Sequence, residues 1–135
     1  MCSVTHLAVG GVLGGWAGNS GVAFFLGIVS HVVMDAVPHY DTRDFRVDVA
    51  LTAAGFLAVL GLGYWNSPVF WGAVGAVLPD VENLLWRLGA IRESWRIFPS
   101  HTRLIRHGKP LTARGAIPQV FLILGSIAGL VPLGG

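Results

Sequence analysis

Charge is what this sequence has least of. Asp, Glu, Lys and Arg together make up 12% of its 135 residues, against about 25% in ordinary soluble domains. With 53% hydrophobic residues and a mean hydropathy of +0.66, the chain has too little polar surface for a water-exposed domain, which points to one integral membrane domain over 1–135. Cysteine is nearly absent too: Cys2 alone allows no internal disulfide and no thiolate cluster. No lipobox-like run precedes it, which argues against lipidation. The first apolar stretch lacks a basic leader and a cleavage site, so it is expected to stay as a membrane segment. There is no low-complexity tract, no phosphate-cradling glycine loop and no dinucleotide fingerprint, and no nucleic-acid partner is expected.

What is present in quantity is uncharged sequence and glycine, of which there are 19. From Val4 to Met34 no side chain is formally charged, and about 30 residues is too long for one span of about 20. Gly18-Asn19-Ser20-Gly21 divides it, predicting antiparallel helices over 4–17 and 22–37. Further apolar runs predict helices over 49–65, 69–88 and 115–133, giving an all-α bundle of about five helices. Between the fourth and fifth lies a basic segment, 89–114, expected to be a surface helix plus a loop. Gly10, Gly14 and Gly18 share one helical stripe, Gly11 and Gly15 the next, and Gly125 and Gly129 a third. Small residues of this kind let helix backbones approach closely in lipid, within one chain or between copies in an oligomer.

Tracing the turns puts all nine Lys and Arg residues on one face of the membrane. By the positive-inside rule that face is cytoplasmic, so the expected topology in the inner membrane is N-in, C-out. Trp16, Tyr64, Trp65 and Trp71 fall at the opposite boundary, and Tyr40, Trp86 and Trp95 at the charged one, like the aromatic belts of membrane proteins.

The few ionisable groups inside apolar runs carry the functional information. His31 and Asp35 are i and i+4, so one helical face presents both. Pro38 should end that helix near Val37 and leave His39 and Asp41 on a turn folding back over the same face. Residues equidistant from the Asn19-Ser20 turn share a depth, which sets His6 beside His31 and Asp35. A His and Asp at this spacing often form a simple hydrogen-bonded pair, but ionisable groups in a membrane segment are costly and usually functional. Imidazole with carboxylate suits zinc, with manganese or iron as alternatives. Asp80, after Pro79 in the fourth apolar run, comes to the same side and is favoured over Glu82. His101 and His107 lie among arginines, where they are either surface side chains or ligand and acid–base groups. The arginines either anchor the segment to anionic headgroups or hold a substrate phosphate.

Thr5-His6, the run Ser30-His31-Val-Val-Met-Asp35-Ala-Val-Pro38-His39 and Leu78-Pro79-Asp80-Val-Glu82 resemble the bacterial family of membrane-bound metal-dependent hydrolases. Around His31, Asp35 and His39 the chain is also distantly similar to zinc-dependent phospholipase C. The resemblance implies metal ligation by His6, His31 and Asp35, completed by Asp80 or also Glu82. Glu82 stands where the family tends to have a second Asp. The family's later His-rich stretch has its nearest counterparts in Ser100-His101-Thr102 and His107-Gly108.

The expected function is therefore metal-dependent hydrolysis at the cytoplasmic membrane boundary, on a phosphoester or lipid headgroup. His6, His31, Asp35 and Asp80 are the expected ligands, with His39, Glu82 and His101 as acid–base candidates. The competing expectations are a non-catalytic protein that binds or passes a metal ion or protons, and an assembly subunit whose polar cluster is a buried lock.

Overall fold

A left-handed glycine starts the architecture. Gly18 closes the first helix with φ 66°, a conformation that costs glycine nothing because it has no Cβ. Asn19 then caps the second helix by accepting a hydrogen bond from the Val22 N–H at 3.0 Å. In the computed structural model, which describes residues 1–42, 44–102, 104–105, 108 and 111–130, these helices are α1 (Ser3–Ala17) and α2 (Ser20–Ala36). They are followed by α3 (Phe45–Gly61), α4 (Pro68–Arg87) and α5 (Ala116–Leu130). Among the described residues there are five α-helices and no strand. The expected all-α, five-helix organisation is present.

α4 is the central element, packed along both α1 and α2, and glycine makes that contact close. A Cβ at Gly10 would run into the Gly72 carbonyl and the Ala76 side chain, and one at Gly14 into the Pro68 carbonyl. From the other side, Gly27 meets the Gly72 carbonyl and Gly75 the Phe24 carbonyl. Of the expected glycine stripes, that of Gly10 and Gly14 is this contact. Gly18 is a cap instead, Gly125 faces open space, and Gly129 only touches Val12.

Several boundaries differ from expectation, each for a local reason. α3 starts at Phe45, not 49, because Asp44 caps it by accepting from the Arg46 N–H at 2.9 Å. Asp48, expected in a polar connector, lies inside the helix and accepts from the Ser3 N–H at 2.9 Å and from its hydroxyl. α4 runs through Pro79 without interruption. The basic segment holds two one-turn 3-10 helices, Glu93–Trp95 and Ala113–Gly115, and no α-helix among its described residues. Arg103, Arg106, His107 and Lys109, and the expected end of the last helix at 131–133, lie outside the described residues.

Among the described residues one segment, Ala113–Leu130, is long and apolar enough to cross a membrane, with mean hydropathy 1.4. α2 is apolar but shorter, and α4 carries Asp80, Glu82 and Arg87. Of the five expected spans, one thus meets the length and hydropathy of a crossing. Around a buried apolar core that includes Leu7, Val12, Val59, Val69 and Val77, the chain also exposes large apolar side chains and buries polar ones. Phe25, Val29 and Val33 of α2, Leu57 of α3 and Phe121 and Leu124 of α5 are exposed, while Thr5, His6, His31, Asp35, His39 and Gln119 are buried.

Candidate metal centre

Three helices and one loop converge on the carboxylate of Asp35. From α1, His6 Nε2 lies 3.2 Å from Asp35 Oδ1; from α2 itself, His31 Nε2 lies 3.0 Å from Oδ2. The imidazoles of His6 and His31 are stacked, with centroids 4.0 Å apart and planes 24° from parallel. α4 brings Asp80, whose Oδ1 is 3.9 Å from His31 Nε2, and the segment after α4 brings His101, with Nε2 3.6 Å from Asp35 Oδ2 and 3.8 Å from Asp80 Oδ1. The amino group of Met1 lies 3.1 Å from Asp35 Oδ1 and 2.8 Å from Asp41 Oδ1. Burial lowers the pKa of that amine, but the two carboxylates outweigh it and hold the pKa above the ordinary value.

The backbone of α4 sets the tautomer of His31. Pro79 withholds an N–H from the helical ladder, and beside that gap the Ala76 carbonyl accepts a hydrogen bond from His31 Nδ1 at 2.8 Å. In the neutral ring this leaves the Nε2 lone pair directed at the carboxylates. A carbonyl that orients the far nitrogen of a ligating imidazole is the usual outer support of a metal site.

The donor set fits a cation. Both ring nitrogens of His6, Nε2 of His31 and Nδ1 of His101 are buried and make no acceptably angled hydrogen bond among the described residues. Orphaned buried polar atoms are rare in folded proteins, because each costs ~1–3 kcal/mol. Two ligands held 2.0–2.2 Å from a tetrahedral ion would be ~3.3–3.6 Å apart, and the nitrogen–oxygen separations here run from 3.0 to 3.9 Å. His6, His31 and Asp35 form one group with ligand atoms within 4.8 Å of each other, and His31, Asp80 and His101 a second.

Two expected acid–base residues are engaged elsewhere. Glu82 accepts from the backbone N–H of Ile97 at 2.7 Å and of Phe98 at 3.3 Å, so it ties down the loop that carries His101. His39 donates from Nδ1 to the Val37 carbonyl at 2.6 Å and sets Nε2 3.2 Å from Asp41 Oδ1. It follows the turn after Ala36 as expected, and it connects to the cluster through Asp41 and the Met1 amine. His101 is brought in closer than its arginine-rich surroundings implied.

The buried clamp Gln119 escaped the sequence reading. Its Oε1 accepts from the Cys2 N–H and the Thr5 hydroxyl, both at 3.2 Å, and its Nε2 donates to the Tyr40 carbonyl at 2.8 Å. It thereby ties α5 to the start of α1 and to the turn after α2. The available signal was a lone amide in an uncharged run, which must find partners once buried.

No family model, curated protein or solved structure matches the chain.

Proposed function

We propose that the protein is an integral membrane hydrolase that uses a divalent transition metal, zinc foremost, to cleave a phosphoester at the membrane boundary. One observation carries the proposal: the buried Nε2 atoms of His6 and His31, without a hydrogen bond among the described residues, lie 3.2 and 3.0 Å from the Asp35 carboxylate, with Asp80 and His101 at its open side. His6, His31 and Asp35 would hold the cation, and Asp80 and His101 would complete its surroundings. When bound, the ion would polarise the phosphoester and acidify a water. The resemblance to membrane-bound metal-dependent hydrolases supports the same assignment.

The residues of the chain divide the remaining work. Ala76 orients His31, Glu82 positions the His101 loop, and His101, 7% exposed at its side chain, is placed to pass protons between the cluster and the outside. His39 and Asp41 belong to the outer support. Multi-pass insertion in the inner membrane belongs to the same proposal; what speaks for lipid contact is the one segment of crossing length and the exposed aliphatic groups of α2, α3 and α5. The short helices fit a bilayer that thins around them.

The test is elemental analysis of the purified protein beside His31→Ala and Asp35→Ala, with folding checked by circular dichroism. About one equivalent of transition metal, lost in folded variants, is expected. Absence of metal after loading with zinc, manganese and iron refutes the hydrolase and leaves the cluster as a buried polar lock.

A further inference from the structure

The loop after α4 buries a cation and pairs it poorly. The Arg96 side chain is only 9% exposed, and arginine is almost never buried to that degree without a partner. Its guanidinium lies 4.5 Å from the centre of the Trp86 ring, a stacking that holds the group in place and leaves its N–H edges for other partners. Acceptors at those edges are few. Nη2 donates one long hydrogen bond, to Asn83 Oδ1 at 3.4 Å. Nη1 has Glu93 at 3.9 Å, beyond hydrogen-bond distance and on a side chain 76% exposed, where water screens the pair. Nε is buried with no acceptor among the described residues.

Arg96 lines a cleft of about 380 Å³ together with Trp86, Glu93, His101 and Thr102. None of these is aliphatic, so the cleft has nothing to hold a hydrocarbon chain. His101 forms part of its wall while setting Nε2 toward Asp35 and Asp80, and its Nδ1 is buried without a hydrogen bond, as is Ser100 Oγ beside it in the chain. Residues 87–114 hold seven of the chain's nine Lys and Arg residues and one of its seven carboxylates, Glu93, so the field around the cleft favours an anion. We propose that the cleft is a binding site for a small oxyanion of the inorganic phosphate class, with Arg96 as its main contact and the Thr102 hydroxyl as a further donor. Such an ion presents acceptors only, in pairs that match the edge of a guanidinium. It would therefore fill the empty N–H groups and balance the buried charge together. The Thr102 hydroxyl is free to turn toward it, since its present contact, to the Pro99 carbonyl, is 3.5 Å long. The site goes beyond the hydrolase proposal and does not rest on it, because neither Arg96 nor Thr102 is a proposed ligand of the cation.

The test is equilibrium dialysis of radiolabelled inorganic phosphate against the full chain in a neutral detergent. The protein is first stripped of metal, so that phosphate held by a cation does not enter the result. Arg96→Gln removes the charge, and Thr102→Glu sets a carboxylate in the cleft at an exposed position. Arg92→Gln, which removes an exposed charge of the same segment outside the cleft, is the control. The wild type should bind phosphate, with sulfate competing. Loss of the hydrogen bonds from a charged donor should weaken binding at least about tenfold in Arg96→Gln. Thr102→Glu should lose as much by repulsion, and its exposed position keeps the test decisive where Arg96→Gln fails to fold. Arg92→Gln should stay within about twofold, as a screened surface charge does. A wild type that binds no phosphate overturns the inference, and so does full binding by folded Arg96→Gln or by Thr102→Glu. Equal loss in Arg92→Gln overturns it too, because the basic segment would then attract anions as a whole. Binding of dihexanoyl phosphatidic acid without binding of phosphate would assign the cleft to a lipid headgroup and likewise sink the proposal. Metal content decides the hydrolase separately, since this measurement is made without metal.

Discussion

Replacing Glu82 with Gln should loosen the loop that carries His101 and leave the helices unchanged. In the wild type the carboxylate takes the Ile97 N–H at 2.7 Å and the Phe98 N–H at 3.3 Å. Hydrogen bonds to a charged group contribute ~1.5–3 kcal/mol and neutral ones ~0.5–1.5. The amide keeps one acceptor oxygen, and the carboxylate oxygen nearest Ile97 is also 3.4 Å from the Phe98 N–H, so both bonds become neutral and each weakens by roughly 1 kcal/mol. The total of about 2 kcal/mol corresponds to roughly a 30-fold rise in loop opening. Arg96 moderates but does not replace the anchor, since it holds the same loop by stacking on Trp86 at 4.5 Å and by a long bond to Asn83 at 3.4 Å. Hydrogen–deuterium exchange resolved over 92–102 should therefore quicken by one to two orders of magnitude, with α1, α2 and α4 unaffected. Zinc affinity should fall about tenfold, the usual size of an outer-support effect, because His101 is no longer delivered to Asp35 and Asp80. Unchanged exchange at 97–102 would refute the anchoring role of Glu82. Faster exchange with unchanged zinc affinity would remove His101 from the cation's surroundings.

Three further outcomes follow from the packing and the network. Gly72→Ala places a Cβ against the Gly10 carbonyl and the Gly14 backbone; neither can rotate away, so the loss should be at least ~1–3 kcal/mol, read as a lower midpoint of helix loss in a dodecyl sulfate titration. Gln119→Leu leaves the Cys2 N–H, the Thr5 hydroxyl and the Tyr40 carbonyl without their amide partner and should cost ~2–3 kcal/mol; an unchanged melting temperature would contradict the clamp. His39→Ala should keep zinc binding within about twofold, whereas His31→Ala abolishes it, since His39 meets Asp41 and not the convergence of His6 and His31. Equal zinc loss in both would place His39 among the ligands.

The sequence carried the meeting of His6 with His31 and Asp35 because a hairpin makes depth a matter of counting. Asn19 and Ser20 mark the turn, and equal spacing from it brings the two helices' polar groups level whatever their neighbours do. Asp80 followed by the same rule across the 62–67 turn. Glu82 did not, because its direction depends on whether α4 stays regular through Pro79. It does, and two residues at 100° each then turn Glu82 about 200° from Asp80, toward Ile97 and Phe98. The start of α3 was missed for a different reason. Asp48 looks interfacial until Ser3, 45 residues earlier, is seen to satisfy it, and no local pattern encodes that pairing.

The polar interior also explains why one cluster stands out from the other buried polar groups. Ser30 bonds back to the Gly27 carbonyl, Ser3 is met by Asp48, and Thr5 by Gln119. Each is satisfied inside the protein, as burial in an apolar surrounding demands. Both ring nitrogens of His6, Nε2 of His31 and Nδ1 of His101 depart from that rule at one place, as Ser100 Oγ and Arg96 Nε do in the loop after α4. Two stacked imidazoles 4.0 Å apart would repel one another if both were protonated, so extra protons are a poor way to balance the neighbouring carboxylates. The Met1 ammonium balances part of that charge, and the proposed cation would balance the rest and supply the missing partners together.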